Sequence, residues 1–277
     1  MGRRRVDQPR SRVTRALGYT GDAVVTSTDG EEPCEFLDWD SRHFHLRIGR
    51  VRPGDRSDAA VARVETWRAA TNVDCLYLFV PVDCGAGIRF AERLAFQLVD
   101  IRVTLDRGPA RETRGDPAEV RRYEAGDLAA LSSLAGRLHR DSRFFRDRRF
   151  SPERSQRLFE LWLEKACASP THFVLVVERG GRPVAYIACE RRSGELGQIQ
   201  LIAVDESAQR QGAGGALVKA AVDQFTEEGA TRVMVITQAR NVAALRLYER
   251  HGFLTASHEL CYHWWSPAQL RRQASQD

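Results

Sequence analysis

Leu201-Ile202-Ala203-Val204-Asp205-Glu206-Ser207-Ala208-Gln209-Arg210-Gln211-Gly212-Ala213-Gly214-Gly215-Ala216-Leu217 is the stretch that decides the fold. An apolar, partly β-branched run enters a polar loop. The loop ends in glycines and passes straight into a segment with Leu217, Ala220, Ala221 and Phe225 on one helical face. The first amides of a helix have no intrahelical acceptor, and the helix dipole adds partial positive charge there. Glycines let the backbone approach a ligand and complete an anion nest. The expectation is a diphosphate site at the start of that helix, with Arg210 adding charge. A Walker loop would need Gly-Lys-Ser/Thr, which is absent, and Gly212-Ala213-Gly214-Gly215 does not match the Rossmann GxGxxG pattern. Taken alone, the segment also reads as a loop that merely turns.

Outward from this centre, strands and helices alternate. Downstream the pattern predicts a strand over 232–237, a helix over 241–250 and a closing strand over 258–264. Upstream it predicts a strand over 198–204 and a hairpin of strands 173–177 and 184–189 joined by Gly180-Gly181. Ser151 followed by Pro152 opens a helix whose apolar face is read as Leu158, Leu161, Trp162 and the stem of Lys165. Asp127 is read as the cap of a helix over 128–139, preceded by a short strand over 120–123.

A second unit lies before these. Helices over 61–70 and 85–94 alternate with strands over 75–80 and 96–105, which is again β/α organisation. Between the units, residues 106–117 hold two glycines, two prolines and many charges without apolar periodicity, the mark of a linker. The reading is thus a basic disordered tail over 1–20, an accessory α/β domain over 21–105, the linker, a catalytic domain over 118–265 and a tail over 266–277. The fold class is α/β with a mixed sheet.

Composition bounds the function. The 277 residues carry a net charge of +5, and the only lysines are Lys165 and Lys219. Arginine suits bidentate contact to phosphate, but the charge is spread along the chain rather than gathered into a nucleic-acid stripe. No run approaches the ~20 apolar residues of a membrane span, and residues 1–15 lack the apolar core of a secretory signal, so a cytoplasmic location is expected. The six cysteines form no CxxC pair and are expected to be reduced. His258, Cys261 and His263 alternate along the last strand, so that Cys261 is expected to face away from His263, and no metal site is read there. The basic Arg3-Arg4-Arg5 tail is read as a solvated arm, not a nucleic-acid contact.

Two blocks together carry a family resemblance. Gln209-x-x-Gly212-x-Gly214 resembles the Gln/Arg-x-x-Gly-x-Gly/Ala signature of the Gcn5-related N-acetyltransferase (GNAT) family. Asn241-Val242-Ala243-Ala244-Leu245-Arg246-Leu247-Tyr248-Glu249-Arg250-His251-Gly252-Phe253 resembles that family's Asn-x-x-Ala-x-x-Leu-Tyr-x-x-x-Gly-Phe block. The resemblance implies acetyl-CoA as co-substrate and no metal. It places the coenzyme on Gln209 to Gly215, with Asn241 and Ala244 nearby, and its pantetheine arm along Ile202, Ala203 and Val204. That strand would be splayed from the next, and an amide near Ala203 or Val204 would polarise the thioester carbonyl. Tyr248 would protonate the leaving thiolate, a nearly matched transfer between a phenol of pKa ~10 and a thiol of ~8.5. Tyr248 also reads as an ordinary core tyrosine of an amphipathic helix. The general base stays open among Glu190, Glu195, Asp205, His139 and a water chain.

A narrower resemblance lies upstream. Leu37-Asp38-Trp39-Asp40-Ser41-Arg42-His43-Phe44, Ser142-Arg143-Phe144 and Tyr262-His263-Trp264-Trp265 resemble blocks of the dTDP-fucosamine acetyltransferase group, except that His43 replaces a phenylalanine and His45 a glycine. This implies a nucleotide-linked amino sugar as acceptor, with Trp39, Asp40 and Arg143 on the acceptor side. The alternatives are an antibiotic-pathway amine, a protein N-terminus, or a CoA-binding regulator without turnover. A homodimer is allowed.

Overall fold

The computed structural model describes residues 32–108, 120–192 and 195–274. Residues 1–31 and 109–119, which hold the expected basic tail and most of the expected linker, lie outside the described residues. The first half runs β1 (Cys34–Phe36), α1 (Asp38–Phe44), β2 (Ile48–Val51), α2 (Asp58–Thr71), β3 (Cys75–Pro81), α3 (Gly85–Arg93) and β4 (Gln97–Arg107). The second half runs β5 (Val120–Arg122), α4 (Leu128–Leu138), α5 (Arg143–Arg146), α6 (Pro152–Ala168), β6 (His172–Arg179), β7 (Arg182–Arg191), β8 (Leu196–Val204), α7 (Ala213–Glu227), β9 (Arg232–Gln238), α8 (Val242–Arg250), β10 (Leu254–Trp265) and α9 (Pro267–Ala274). The mixed α/β class is as expected, while the segment read as a C-terminal tail contributes α9.

All of these strands form one mixed sheet in the order β1-β2-β3-β10-β4-β9-β8-β7-β6-β5. Among the described residues, only β2/β3 and β8/β9 pair in parallel. The last strand, β10, lies between β3 and β4 of the first half, pairing antiparallel with both. The two halves read from the sequence therefore share a sheet, and the chain from Pro33 onward is one compact unit. One face of the sheet carries Tyr77, Tyr186, Ala188, Leu201, Ala203 and Trp265 under α1, α4, α5 and α6. The opposite face holds Val103, Leu105, Ile187 and Val235 under α7 and α8, and Leu76, Leu78, Leu260 and Tyr262 under α2 and α3.

Local chemistry explains most element ends. Ser57 caps α2 by accepting from the Ala60 amide, and Ser151 caps α6 by accepting from Arg154, with Pro152 at the first helical position. Gly180 and Gly181, at φ +56 and +74, close the β6–β7 hairpin in the primed-turn geometry that L side chains resist. Two local expectations are corrected. The Asp127 side chain does not cap α4; it accepts from the Glu124 amide and is held by Arg121. The buried face of α6 is Ser155, Leu158, Phe159, Leu163 and Ala166, while Lys165 is exposed.

Candidate active site

The strands β8 and β9 pair only from Leu196↔Arg232 to Ile199↔Val235. Beyond that point they part, so Leu201–Val204 and Ile236–Gln238 border a wedge in the middle of the sheet. The parting starts at Gln200, where β8 bulges against β7. On its other edge β8 stays paired: the Asp205 amide donates to the Val184 carbonyl at 2.8 Å. In an antiparallel ladder the hydrogen-bonding side alternates by residue, so Ala203 and Leu201 also bond toward β7. The amides of Ile202 and Val204 face the wedge. Of the two amides expected to polarise a carbonyl, the register thus favours Val204 and turns Ala203 away.

The loop after β8 leads to the first turn of α7. Arg210 and Gly212 both adopt left-handed backbone, at φ +58 and +86, and Gly212 precedes α7 without any side-chain cap. The Ala216 amide donates back to the Gly212 carbonyl at 2.9 Å. The left-handed turns and uncapped helix start make a nest with its donors presented to the outside. Around it, Gln209 Nε2 donates to the Val204 carbonyl at 3.1 Å and Gln211 Nε2 to the Ser207 carbonyl at 2.8 Å. These expected ligand residues act in the structure as loop braces. Gly214 and Gly215 sit in the first turn where helix packing is close. A Cβ on Gly214 would meet Leu247 at 3.4 Å, and one on Gly215 would meet His251 at 3.2 Å. The residues present fit a diphosphate on backbone donors.

Helix α8 packs beside this turn. Asn241 caps it, accepting from the Ala244 amide at 3.0 Å. Tyr248 is 2% exposed, its ring 5.6 Å from Phe253. His251 donates through Nε2 to the Gly215 carbonyl at 3.0 Å, and its own carbonyl accepts from Arg107 at 2.7 Å.

On the opposite face, beside the wedge, the structure assembles a polar cluster that sequence reasoning only partly anticipated. Register places Arg102 between Gln238 at the end of β9 and Glu259 on β10. Arg102 pairs with Glu259 at 2.9 Å, and burial raises the Glu259 carboxyl despite that partner and Arg143. Further on, the Arg143 guanidinium lies over the rings of Phe144, Tyr77 and Phe79 at 4.2, 4.7 and 5.4 Å. No described carboxylate is within ion-pair distance of it, and its Nε is buried without a partner. Asp40, 5% exposed, faces Arg143 from α1; desolvation raises its pKa while Arg143 and His43 work against the rise. Asp40 and Arg143 are therefore brought close to one another. Trp39 stands apart, 40% exposed and stacked on His43. His45, at the position where the resembled block has glycine, is left-handed at φ +54.

Behind Arg143, Asp147 accepts from His263 Nδ1 at 2.7 Å and from Trp265 Nε1 at 2.8 Å. Burial drives His263 down to about 4. Burial also pushes the Asp147 carboxyl up, but the bonds from His263 and Trp265 outweigh this and hold it below the usual range. Cys261 is pushed up to about 12 by burial and, like His263, feels Arg143. The two lie on the same face, contrary to the sequence expectation, because residues two apart on a strand share a side. Among the described residues no three acidic, histidine or cysteine side chains gather as a metal-holding group.

The open general-base candidates are now placed. Asp205 is held at about 2 by Ser207 and then Arg137, and Glu195 is exposed at the far end of β8. His139 bonds to the Tyr186 hydroxyl at 2.9 Å and desolvation drives it down to about 4. Glu190 accepts from Gln200, the bulge residue, and pairs with Arg192, both at 2.6 Å.

Residues 137–253 match the acetyltransferase (GNAT) family model. The spore coat polysaccharide biosynthesis protein SpsD of Bacillus subtilis is 26% identical over 72% of this chain and 70% of its own length. A dTDP-fucosamine acetyltransferase of Escherichia coli is 28% identical over 58% of this chain and 68% of its own. A mycothiol acetyltransferase of Acidimicrobium ferrooxidans is 31% identical, but the match spans only 32% of that protein and 34% of this chain. In fold, a GCN5-related N-acetyltransferase from Sphaerobacter thermophilus superposes with a TM-score of 0.59, at 16% identity, over 84% of this chain and 76% of its own. Among the described residues no helix is long and apolar enough to cross a membrane.

Proposed function

We propose that the chain, whose residues 137–253 match the GNAT family of acetyltransferases, moves an acetyl group from acetyl-CoA to the amine of a nucleotide-linked amino sugar. Acetyl-CoA supplies the activated acyl group. The residues of this chain do the rest. Amides at the start of α7 hold the diphosphate, the parted edge of β8 orients the pantetheine, and the Val204 or Ile202 amide stabilises charge developing on the carbonyl oxygen. Tyr248 gives a proton to the departing sulfur.

The observation that carries the acceptor is the row running from the wedge through Gln238, Arg102 and Glu259 to Arg143 and Asp40. Gln238, Arg102 and Glu259 come from β9, β4 and β10, and Arg143 and Asp40 from α5 and α1, with Arg143 lying over Tyr77 and Phe79 of β3. Adjacent strands lie ~4.8 Å apart, so the row extends roughly 14 Å from the wedge. That is long for a small free amine and suits a sugar followed by phosphate. A half-buried guanidinium without an ion pair among the described residues, lying over three rings, is the natural contact for that phosphate. The name of the dTDP-fucosamine acetyltransferase relative supports the same class, and that of SpsD is one of polysaccharide biosynthesis. The rival acceptor, an amine outside the nucleotide sugars, draws on the shorter mycothiol acetyltransferase match. Purified protein with acetyl-CoA and a panel of amines decides between them. Thiol release confined to nucleotide-linked amino sugars is expected, and equal turnover of free amino sugars or thiol-bearing amines would remove the proposal.

A further inference from the structure

On the sheet face under α5, two guanidinium groups and one carboxyl meet around a single ring. Register sets Arg102 opposite Glu259 and Asp100 opposite Cys261, and Cys261 in turn opposite Phe79 of β3. Directly paired residues, and residues two apart on a strand, share a side of the sheet, so these five lie together. From β4 and from α5, the guanidinium groups of Arg102 and Arg143 lie 5.2 and 5.4 Å from the centre of the Phe79 ring. Glu259 contacts the first at 2.9 Å and feels the charge of the second. Glu259, Arg143 and Phe79 are half-buried, so the group is open to solvent on one side. The other titratable groups nearby are settled. Asp100, 3% exposed, is held by Arg240 at 3.2 Å and by the Ile101 amide at 2.8 Å. Cys261, pushed up to about 12, stays a thiol, and Asp40 faces Arg143 from α1. Glu259 is thus the accessible carboxyl in direct contact with this pair of arginines.

An ionised carboxylate competes with a phosphate for the same guanidinium groups and repels it. A protonated carboxyl becomes a hydrogen-bond donor instead. Burial already favours the neutral form of Glu259 more than Arg102 and Arg143 oppose it. We propose that Glu259 takes up a proton when the acceptor's phosphate settles on Arg102 and Arg143, changing from the ion-pair partner of Arg102 into a donor to a phosphate oxygen. This rests on the reading that the acceptor is a nucleotide-linked sugar. The proton comes from solvent, and no covalent bond changes. Glu259 is then a specificity-determining residue: an acceptor without phosphate meets a closed Arg102–Glu259 pair, and one with phosphate is bound together with a proton.

The test is calorimetric titration of the full chain with thymidine diphosphate glucose and uridine diphosphate glucose at pH 5.5, 6.5 and 7.5, in two buffers of different ionisation heat. Both phosphates of these probes are esterified, so the ligand itself does not titrate in that range. Wild type, Glu259→Gln and Arg143→Ala are compared, with Glu259→Ala standing in if the glutamine variant does not melt cooperatively. Wild type should take up as much as one proton per ligand, and its affinity should fall by up to about tenfold per pH unit as pH rises. Glu259→Gln, which keeps a donor in the same place, should take up none and bind with a flat pH profile. Arg143→Ala should bind either probe at least about tenfold more weakly at every pH. No proton uptake by wild type, or the same uptake in wild type and the Glu259 variant, overturns the inference. If binding is then flat with pH but still lost in Arg143→Ala, the phosphate reading stands and Glu259 is only an ion-pair partner. If wild type binds neither probe, the nucleotide-sugar reading falls and this inference with it.

Discussion

His251 Nε2 donates to the carbonyl of Gly215 at 3.0 Å, tying the end of α8 to the first turn of α7. The helix that carries Tyr248 and the helix whose start forms the anion nest are thus clamped by one hydrogen bond. Arg107 of β4 holds the His251 carbonyl from the other side. Desolvation, with the Arg107 charge second, lowers the His251 pKa, so the ring is neutral and Nε2 carries the proton.

Gly215→Ala would put a Cβ 3.2 Å from His251 Cε1 and 3.3 Å from Nε2. Either the imidazole or the helix start has to shift. CoA affinity is expected to fall about tenfold, equivalent to ~1.4 kcal/mol. Combining it with His251→Ala should relieve the crowding but not restore the clamp, leaving affinity below wild type. Titration of CoA into wild type and these two variants reads this, and a wild-type dissociation constant for Gly215→Ala would show that the nest does not depend on the clamp.

Tyr248→Phe is expected to keep CoA affinity and to lower kcat by ~10²–10⁴, the usual loss of a general acid. Phenylalanine preserves the ring contact with Phe253, so stability should move little. Turnover within twofold of wild type, with chemistry rate-limiting, would assign the proton to another group and leave Tyr248 as a core residue.

Arg143→Ala should raise the acceptor KM and leave the CoA dissociation constant unchanged. Arg143→Lys should rescue little, because an ammonium lacks the planar fork and the stacking over Phe144 and Tyr77. A merely structural arginine would behave differently: its loss would lower the melting temperature and weaken both substrates together.

Stability should fall as pH drops from 6.5 toward 4. His263 titrates near 6.5 in the unfolded chain but at about 4 when buried, so in that window the unfolded chain binds the proton that the folded chain refuses. The slope from this one group approaches ~1.4 kcal/mol per pH unit. Asp40 and Glu259, raised by burial, act in the opposite sense and add stability as they protonate in the folded protein first. His263→Phe should flatten the loss by about one proton in urea unfolding at pH 7, 6 and 5. Parallel curves for variant and wild type would contradict the assignment.

The parts of this molecule legible in the sequence are those with a local cause. Gly212 and the Gly180-Gly181 turn need left-handed backbone, and Ser151-Pro152 is a capped helix start, so each announces its structure within a few residues. Asp127 misled because an acid before a helix can cap it or close a capping box with Glu124, and the Arg121 partner decides. The placement of β10 between β3 and β4 has no local signature, since non-neighbouring strands pair through contacts that no short window contains. With it went the row from Arg102 through Glu259 and the Asp147–His263 pair, whose members are 157 and 116 residues apart in a chain numbered continuously. Asp40 and Arg143 were found only because short blocks around them resembled a known group.

The central claim is that β8 and β9 part beyond Ile199↔Val235 in order to admit the coenzyme. A crystal structure of the full chain with CoA tests it directly. The account predicts the diphosphate on the amides at the start of α7 and the thiol between Ile202–Val204 and Ile236–Gln238, within reach of the Tyr248 hydroxyl. CoA bound with its pantetheine outside that wedge, or a wedge closed by continued β8–β9 pairing in the complex, would contradict it.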